Sequence, residues 1–99
     1  MYSSPEYRVA YDEQHKEKII KDLIAAFKTR NDVTLITIDG VRAQTPYGWG
    51  LVRASNTESV LCLRFESKTE EGLAHIKNDF ILLLEQYLNP LDKERIAKL

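Results

Sequence analysis

The sequence predicts an α+β two-layer sandwich in which one antiparallel sheet carries two helices on one face. Five segments have the composition of β-strands, two longer segments have apolar residues at helical spacing, and their order is β-α-β-β-β-β-α. Consecutive strands pair as antiparallel neighbours, and two amphipathic helices bury their apolar stripes by covering the same sheet face. The 99 residues suffice for a single domain. We expect its core over residues 5–88, with residues 1–4 loose and residues 89–99 either a short helix or frayed.

The first strand and the first helix are predicted from a change in apolar spacing. Apolar residues alternate with polar ones from Tyr7 to Tyr11, which indicates a strand of about six residues. Asp12 is suited to cap the helix that follows, over residues 13–30. The apolar face of this helix consists of Ile20, Leu23, Ile24 and Phe27.

Four further strands follow, separated by turns rather than by helices. Residues 33–38 are apolar and β-branched, and Asp39-Gly40 is a turn signal after which residues 41–45 return antiparallel. Residues 49–54 and 60–66 form the last two strands, the second with alternating apolar residues. These two strands are joined by a short polar loop.

The last helix is predicted from an apolar stripe that follows a capping signal. Either Ser67 or Thr69 can cap its N-terminus, and the next acidic residues suit the positive end of its dipole. Asn89-Pro90 is expected to end it, because proline cannot continue a helix. The stripe consists of Leu73, Ile76, Phe80, Leu83, Leu84 and Tyr87.

Composition and charge exclude several classes of function. The chain is 43% hydrophobic and 29% charged, as in ordinary globular domains, and its net charge of −1 creates no broad positive field for nucleic acid or an anionic membrane. No apolar run approaches the roughly 20 residues of a membrane span, and the first residues are too polar for a signal peptide. The single cysteine makes no internal disulfide. We therefore expect a cytoplasmic protein.

The loop between the last two strands has the chemistry of a phosphate-binding site. Arg53 ends an apolar strand and offers a planar fork of donors that matches phosphate oxygens. Ser55, Asn56 and Thr57 add hydroxyl and amide donors, and backbone N–H groups of the turn can add more. Glu58 either orients Arg53 or faces water. The alternative interpretation of the whole segment is a solvated hairpin loop.

Three blocks of sequence, at residues 39–42 (DGVR), 48–58 (GWGLVRASNTE) and 61–66 (LCLRFE), carry a resemblance to a known family. In composition and spacing they resemble the C-terminal domain of phosphomannomutase/phosphoglucomutase, a phosphohexomutase. The resemblance extends over about residues 33–87. It implies a TATA-binding-protein-like arrangement of one sheet backed by two helices, which agrees with the element order.

The resemblance also implies an activity for a larger enzyme. Phosphohexomutases interconvert hexose 1-phosphate and 6-phosphate through a bisphosphate, with a phosphoserine, magnesium and sugar-recognition residues in three preceding domains. By this resemblance, Arg53, Ser55, Asn56 and Thr57 would hold the phosphate of the sugar that is not reacting. The chain would have no catalytic residue, metal or cofactor of its own, and its partners would be the phosphosugar and the preceding domains. Ser59 departs from the family pattern, where proline is common.

Other residues have plainer interpretations than ligand binding. Ser55 has no adjacent histidine or lysine to make it a nucleophile, and Asp39 belongs to a turn rather than a magnesium loop. His15 and His75 lie on separate helices and form no metal pair. We expect Cys62 to be a buried hydrophobe. The aromatic residues Tyr47 and Trp49 are expected to pack over the helices rather than to stack on a sugar.

Two alternative functions belong to different classes. A stand-alone protein-interaction domain of similar fold would use an exposed sheet face, and the sequence leaves this alternative open. A nucleic-acid-binding domain is disfavoured, because the central strands offer Trp49 and Phe65 without a run of basic residues.

Overall fold

The structure is a computed structural model that describes residues 1–11, 13–38, 40–55 and 57–99. It confirms the predicted α+β sandwich, with an antiparallel sheet and its helices in a separate layer. Short 3-10 turns occur at Glu13–His15 and Glu85–Tyr87. The helices are α1 (Lys16–Lys28), α2 (Glu70–Leu83) and α3 (Pro90–Lys98). The strands are β1 (Tyr2–Ser3), β2 (Tyr7–Ala10), β3 (Thr34–Ile36), β4 (Val41–Thr45), β5 (Gly48–Ala54) and β6 (Val60–Ser67).

The sheet has the order β1-β6-β5-β4-β3, and β2 also pairs with β6. Strands β1 and β2 lie end to end along one side of β6, where Tyr2 is opposite Ser67 and Tyr7 is opposite Leu63. Ser4 maintains the pairing between them, because its N–H donates to the Phe65 carbonyl at 2.9 Å and its hydroxyl accepts from the Phe65 N–H at 3.0 Å. The expectation that residues 1–4 are loose was therefore wrong.

The core lies between one sheet face and helices α1 and α2. Helix α1 contacts β3 and β4, whereas α2 contacts β5 and β6. The Phe80 ring lies at the centre, with its centroid 5.1 Å from that of Phe27 and 5.4 Å from that of Phe65. On α1, Ile19 is fully buried, while the predicted face residues Ile20 and Ile24 are only partly buried. Further buried residues from the sheet are Val9, Val41, Ala43, Val52, Leu61 and Leu63.

Gly50 allows α2 to approach the sheet closely. A Cβ atom at this position would lie 2.8 Å from Cζ of the buried Phe80 ring, which is closer than packed atoms allow. We expect Gly50→Ala to destabilise the protein by about 1–3 kcal/mol through overpacking, although alanine suits a strand better than glycine. Urea unfolding measures the change. The same substitution in a Phe80→Leu background should be less destabilising, and wild-type stability for Gly50→Ala alone would contradict this explanation.

The helix starts differ in part from the sequence predictions. Helix α2 begins after Thr69, whose Oγ1 accepts a hydrogen bond from the Gly72 N–H at 2.9 Å, so Thr69 rather than Ser67 is the cap. Helix α1 is shorter than predicted because its first turn is a 3-10 turn and its N-cap is His15, without a side-chain cap bond. The predicted cap Asp12 lies outside the described residues.

The tail after α2 is ordered, as one of the two sequence-based alternatives proposed. Helix α2 has already ended at Leu83, and Asn89-Pro90, which we expected to end a helix, starts α3 instead. The Asn89 side chain accepts from the Asp92 N–H at 2.7 Å, and proline at the first helical position loses no bond. The Tyr7 hydroxyl donates to the Asp92 carboxylate at 2.8 Å. The pKa of Tyr7 is raised mainly by its partial burial and further by this hydrogen bond.

Strand β3 is also shorter than predicted. The sequence indicated residues 33–38, but the pairing with β4 covers only Thr34–Ile36. Ile38 lies beyond it with 93% of its surface exposed.

Among the helices that the structure describes, none has the length and apolar character needed to cross a membrane.

Candidate functional site

A cavity of about 340 Å³ lies beside the β5–β6 loop, on the sheet face that the helices leave open. Three of the four predicted phosphate-binding residues line it, namely Arg53, Ser55 and Thr57, and so does Glu58. The fourth, Asn56, lies outside the described residues. The rest of the lining comes from Glu6, Arg8, Ala54 and Cys62.

The alternation of β5 directs Arg53 into this cavity. Val52 points into the core and is fully buried, so its neighbour Arg53 projects from the opposite face. Half of the Arg53 side-chain surface is exposed, and one guanidinium nitrogen lies 3.9 Å from a carboxylate oxygen of Glu6. The guanidinium is therefore outside the helical layer and available to a ligand.

Ser55 organises the loop that carries the other hydroxyl groups. Its Oγ accepts hydrogen bonds from the N–H groups of Thr57 at 3.3 Å and Glu58 at 3.2 Å, and its own N–H donates to the Val60 carbonyl at 3.0 Å. The Ser59 carbonyl accepts from the Tyr11 N–H at 3.0 Å, which attaches the loop to the end of β2. Two backbone N–H groups of the turn, which the sequence offered as possible further phosphate donors, are thus bonded within the loop.

This site contains a second arginine, Arg8, that was not predicted from the sequence. Arg8 on β2 and Arg53 on β5 are both register partners of Cys62 on β6, so all three lie on the open face in one row. The signal was the alternation from Tyr7 to Tyr11, which places Arg8 outward. It could not be used because the sequence did not show that β2 lies beside β6.

Each arginine of the cavity is near a glutamate. An Nη atom of Arg8 lies 2.9 Å from a carboxylate oxygen of Glu58, whereas Arg53 is near Glu6. Glu58 therefore pairs with Arg8, whereas one of the two predicted roles for Glu58 was to orient Arg53. All four side chains are substantially exposed, so each ion pair contributes only about 0–1 kcal/mol. An anion that binds both arginines can displace such weak partners.

A second cavity beside β5 contains no arginine among the described residues that line it. It has a volume of about 670 Å³ and lies at the opposite end of β5, where Tyr47 and Trp49 are among the residues that line it. Tyr47 stacks on His75 of α2 at a centroid distance of 3.7 Å, as expected for packing over the helices. The expectation for Trp49 was wrong, because it lies on the open face, where the Arg42 guanidinium is 4.3 Å from its ring centroid. Its neighbour Gly50 takes the helix-facing position.

Metal ligands do not cluster in the part of the chain that the structure describes, where no three His, Cys, Asp or Glu residues could hold an ion together. Cys62 is buried, as expected, at 7% exposure. His15 instead packs its ring at a tilt against Tyr87, with the ring centroids 6.3 Å apart.

Residues 6–83 match the family described as phosphoglucomutase/phosphomannomutase, C-terminal domain. The chain belongs to this family. The phosphoglucomutase/phosphomannomutase match includes β2 and the whole β5–β6 hairpin, so it contains every residue that lines the 340 Å³ cavity. Strand β1 and helix α3 lie outside it.

Individual relatives have the same family names. The chain is 40% identical over 88 residues to a phosphoglucomutase of Neisseria meningitidis serogroup B, and 47% identical over 78 residues to a phosphomannomutase/phosphoglucomutase of Pseudomonas aeruginosa. These alignments cover 88% and 79% of the chain but only 19% and 17% of the relatives. A crystal structure of a phosphoglucomutase/phosphomannomutase family protein from Burkholderia thailandensis matches with a TM-score of 0.70 and 38% identity, over 86% of this chain and 17% of that one. The chain thus spans about a fifth of the length of these proteins.

Proposed function

We propose that this domain binds the phosphate group of a hexose phosphate through Arg53, Ser55, Asn56 and Thr57. The observation that carries the proposal is the convergence of Arg53, Ser55 and Thr57 on one open, polar cavity inside the region that matches the family. We infer that the domain does so as part of a phosphomannomutase/phosphoglucomutase, which interconverts hexose 1-phosphate and 6-phosphate through a bisphosphate intermediate.

The donor set suits a tetrahedral dianion. The Arg53 guanidinium can donate two parallel N–H bonds to phosphate oxygens, and its charge makes these bonds stronger than neutral ones. The Ser55 hydroxyl accepts from the Thr57 and Glu58 N–H groups. Its oxygen also lies 3.5 Å from Oγ1 of Thr57, in a contact where either hydroxyl can be the donor. This contact uses one of the two hydroxyl protons, so the other can be donated to a phosphate group.

In this proposal the domain acts as a lid rather than as the catalyst. Binding energy from a phosphate remote from the reacting bond can orient the sugar and drive closure over a catalytic serine elsewhere. A site that recognises phosphate alone accepts either end of the sugar when the substrate reverses between half-reactions. Phosphoserine and magnesium would belong to preceding domains of a cytoplasmic enzyme, so the isolated chain should be inactive. The length of the relatives supports this division.

A domain exchange tests the proposal. The C-terminal domain of the Pseudomonas aeruginosa relative is replaced by residues 1–99, and conversion of glucose 1-phosphate is compared with that of the same enzyme truncated before this domain. We expect the chimera to be well above the truncated enzyme in kcat/KM. A chimera that folds, as judged by circular dichroism and elution volume, yet is no more active than the truncated enzyme would overturn the proposal.

A further inference from the structure

We propose that Arg8 is a second phosphate-binding arginine of this site, and that the incoming phosphate takes the place of the Glu58 carboxylate on its guanidinium. The inference rests on the proposed function and adds a residue and an exchange step to it. Its starting point is that Arg8 and Arg53 line the same cavity.

The sheet register places the two arginines on opposite sides of one residue. Arg8 and Arg53 both pair with Cys62, from β2 on one side of β6 and from β5 on the other. Neighbouring strands are about 4.8 Å apart, so the two backbones are separated by roughly 10 Å. Two arginine side chains can span that gap from both sides, with the buried Cys62 beneath them. A phosphate between them would receive guanidinium donors from two directions.

The charges that line the cavity place one glutamate beside each arginine. Glu58 lies 2.9 Å from Arg8, and Glu6 lies 3.9 Å from Arg53, so two cations and two anions balance. A phosphate dianion in the middle would be repelled by both carboxylates and attracted by both guanidinium groups, and Glu58 is the carboxylate in the closer ion pair. Glu58 is in the same loop as the hydroxyl donors, and its backbone N–H is bonded to Ser55. A rearrangement of this loop around phosphate can therefore move the Glu58 carboxylate away from Arg8.

Two substitutions with opposite expected effects test the exchange. Arg8→Gln should weaken binding of inorganic phosphate by about fivefold or more, because one charge-assisted donor group is lost. Glu58→Gln should strengthen it by about three- to tenfold, because the competing carboxylate is lost. In the double variant Arg8→Gln/Glu58→Gln the gain from Glu58→Gln should shrink, since the carboxylate then has no arginine to occupy. Arg8→Lys, which keeps the charge without the fork, should lie between the wild type and Arg8→Gln.

The affinities are measured on the 99-residue chain by NMR titration with inorganic phosphate at constant ionic strength. Arg64→Gln is the matched control for Arg8→Gln, because Arg64 is exposed on the same sheet face, in register with Leu51, and does not line the cavity. Glu66→Gln is the charge control for Glu58→Gln, since it lies at the other end of β6. Both controls should change the affinity by less than about twofold.

The outcomes separate this inference from the proposed function. If Arg53→Gln loses phosphate binding while Arg8→Gln and Glu58→Gln bind like the wild type, the role of Arg8 is overturned and the proposed function stands. If the wild type shows no binding, or Arg53→Gln binds as the wild type does, both are overturned. Dispersed amide spectra of Arg8→Gln and Arg8→Lys confirm that any loss reflects the site and not unfolding.

Discussion

Replacing Arg53 by glutamine is expected to lower kcat/KM of the domain-exchange chimera for glucose 1-phosphate by about 10- to 100-fold or more. A hydrogen bond to a charged group contributes roughly 1.5–3 kcal/mol, and each 1.4 kcal/mol corresponds to a factor of ten. Arg53 offers two such donors from a half-exposed side chain, and a glutamate at 3.9 Å is its weak competing partner. The loss should appear in kcat as well as in KM, because the remote phosphate contributes to orienting the sugar.

Steady-state kinetics of three chimeras measure this effect. The control is Arg64→Gln, which removes a guanidinium from the same sheet face without touching the cavity and should leave kcat/KM within about twofold of the parent chimera. An Arg53→Gln chimera as active as that control would show that Arg53 does not hold the substrate.

The second large effect is expected in the core, where Phe80→Ala should lower the free energy of unfolding by about 3–5 kcal/mol. Phe80 is fully buried, and its ring lies against Phe27 of α1 and Phe65 of β6, so its loss leaves a cavity where both helices meet the sheet. A domain of this size has only about 5–15 kcal/mol of stability, so much of it would be lost.

Urea unfolding followed by circular dichroism measures the change. Leu82→Ala is the control, because Leu82 lies on the same helix with 58% of its surface exposed and should change the stability by less than about 0.5 kcal/mol. A loss below about 1 kcal/mol for Phe80→Ala would mean that the interior can collapse around the missing ring.

The sheet and its two covering helices could be predicted because the apolar spacing fixes them directly. Phe27 and Phe80 belong to helical stripes that have to face a common core, and Leu61, Leu63 and Phe65 alternate as the core-facing residues of a strand do. The tail was harder, because Asn89-Pro90 is equally suited to follow one helix or to begin the next. Contacts between residues distant in sequence, such as that of Asp92 with Tyr7, and the burial of Ile96 distinguish the two.

Part of the site could likewise be predicted from neighbouring residues, whereas another part depends on long-range strand pairing. Arg53, Ser55 and Thr57 are neighbours in sequence, so their convergence on one cavity followed from a strand and a loop. Arg8 is on another strand, and its place depends on the pairing of β2 with β6, which local spacing does not encode. The same limit explains the error for Trp49, since strand residues alternate but the sequence did not show which alternate position faces the helices.

The central claim, that the β5–β6 loop binds phosphate, is tested most directly by one NMR titration of the wild-type chain with inorganic phosphate. A few charge-assisted bonds have to offset an association cost of at least about 4 kcal/mol, so we expect a roughly millimolar Kd. The predicted result is saturable shifts confined to residues 53–58 and to Arg8. Shifts centred on the aromatic cavity around Tyr47 and Trp49, or no shifts at about 50 mM phosphate, far above that Kd, would contradict it.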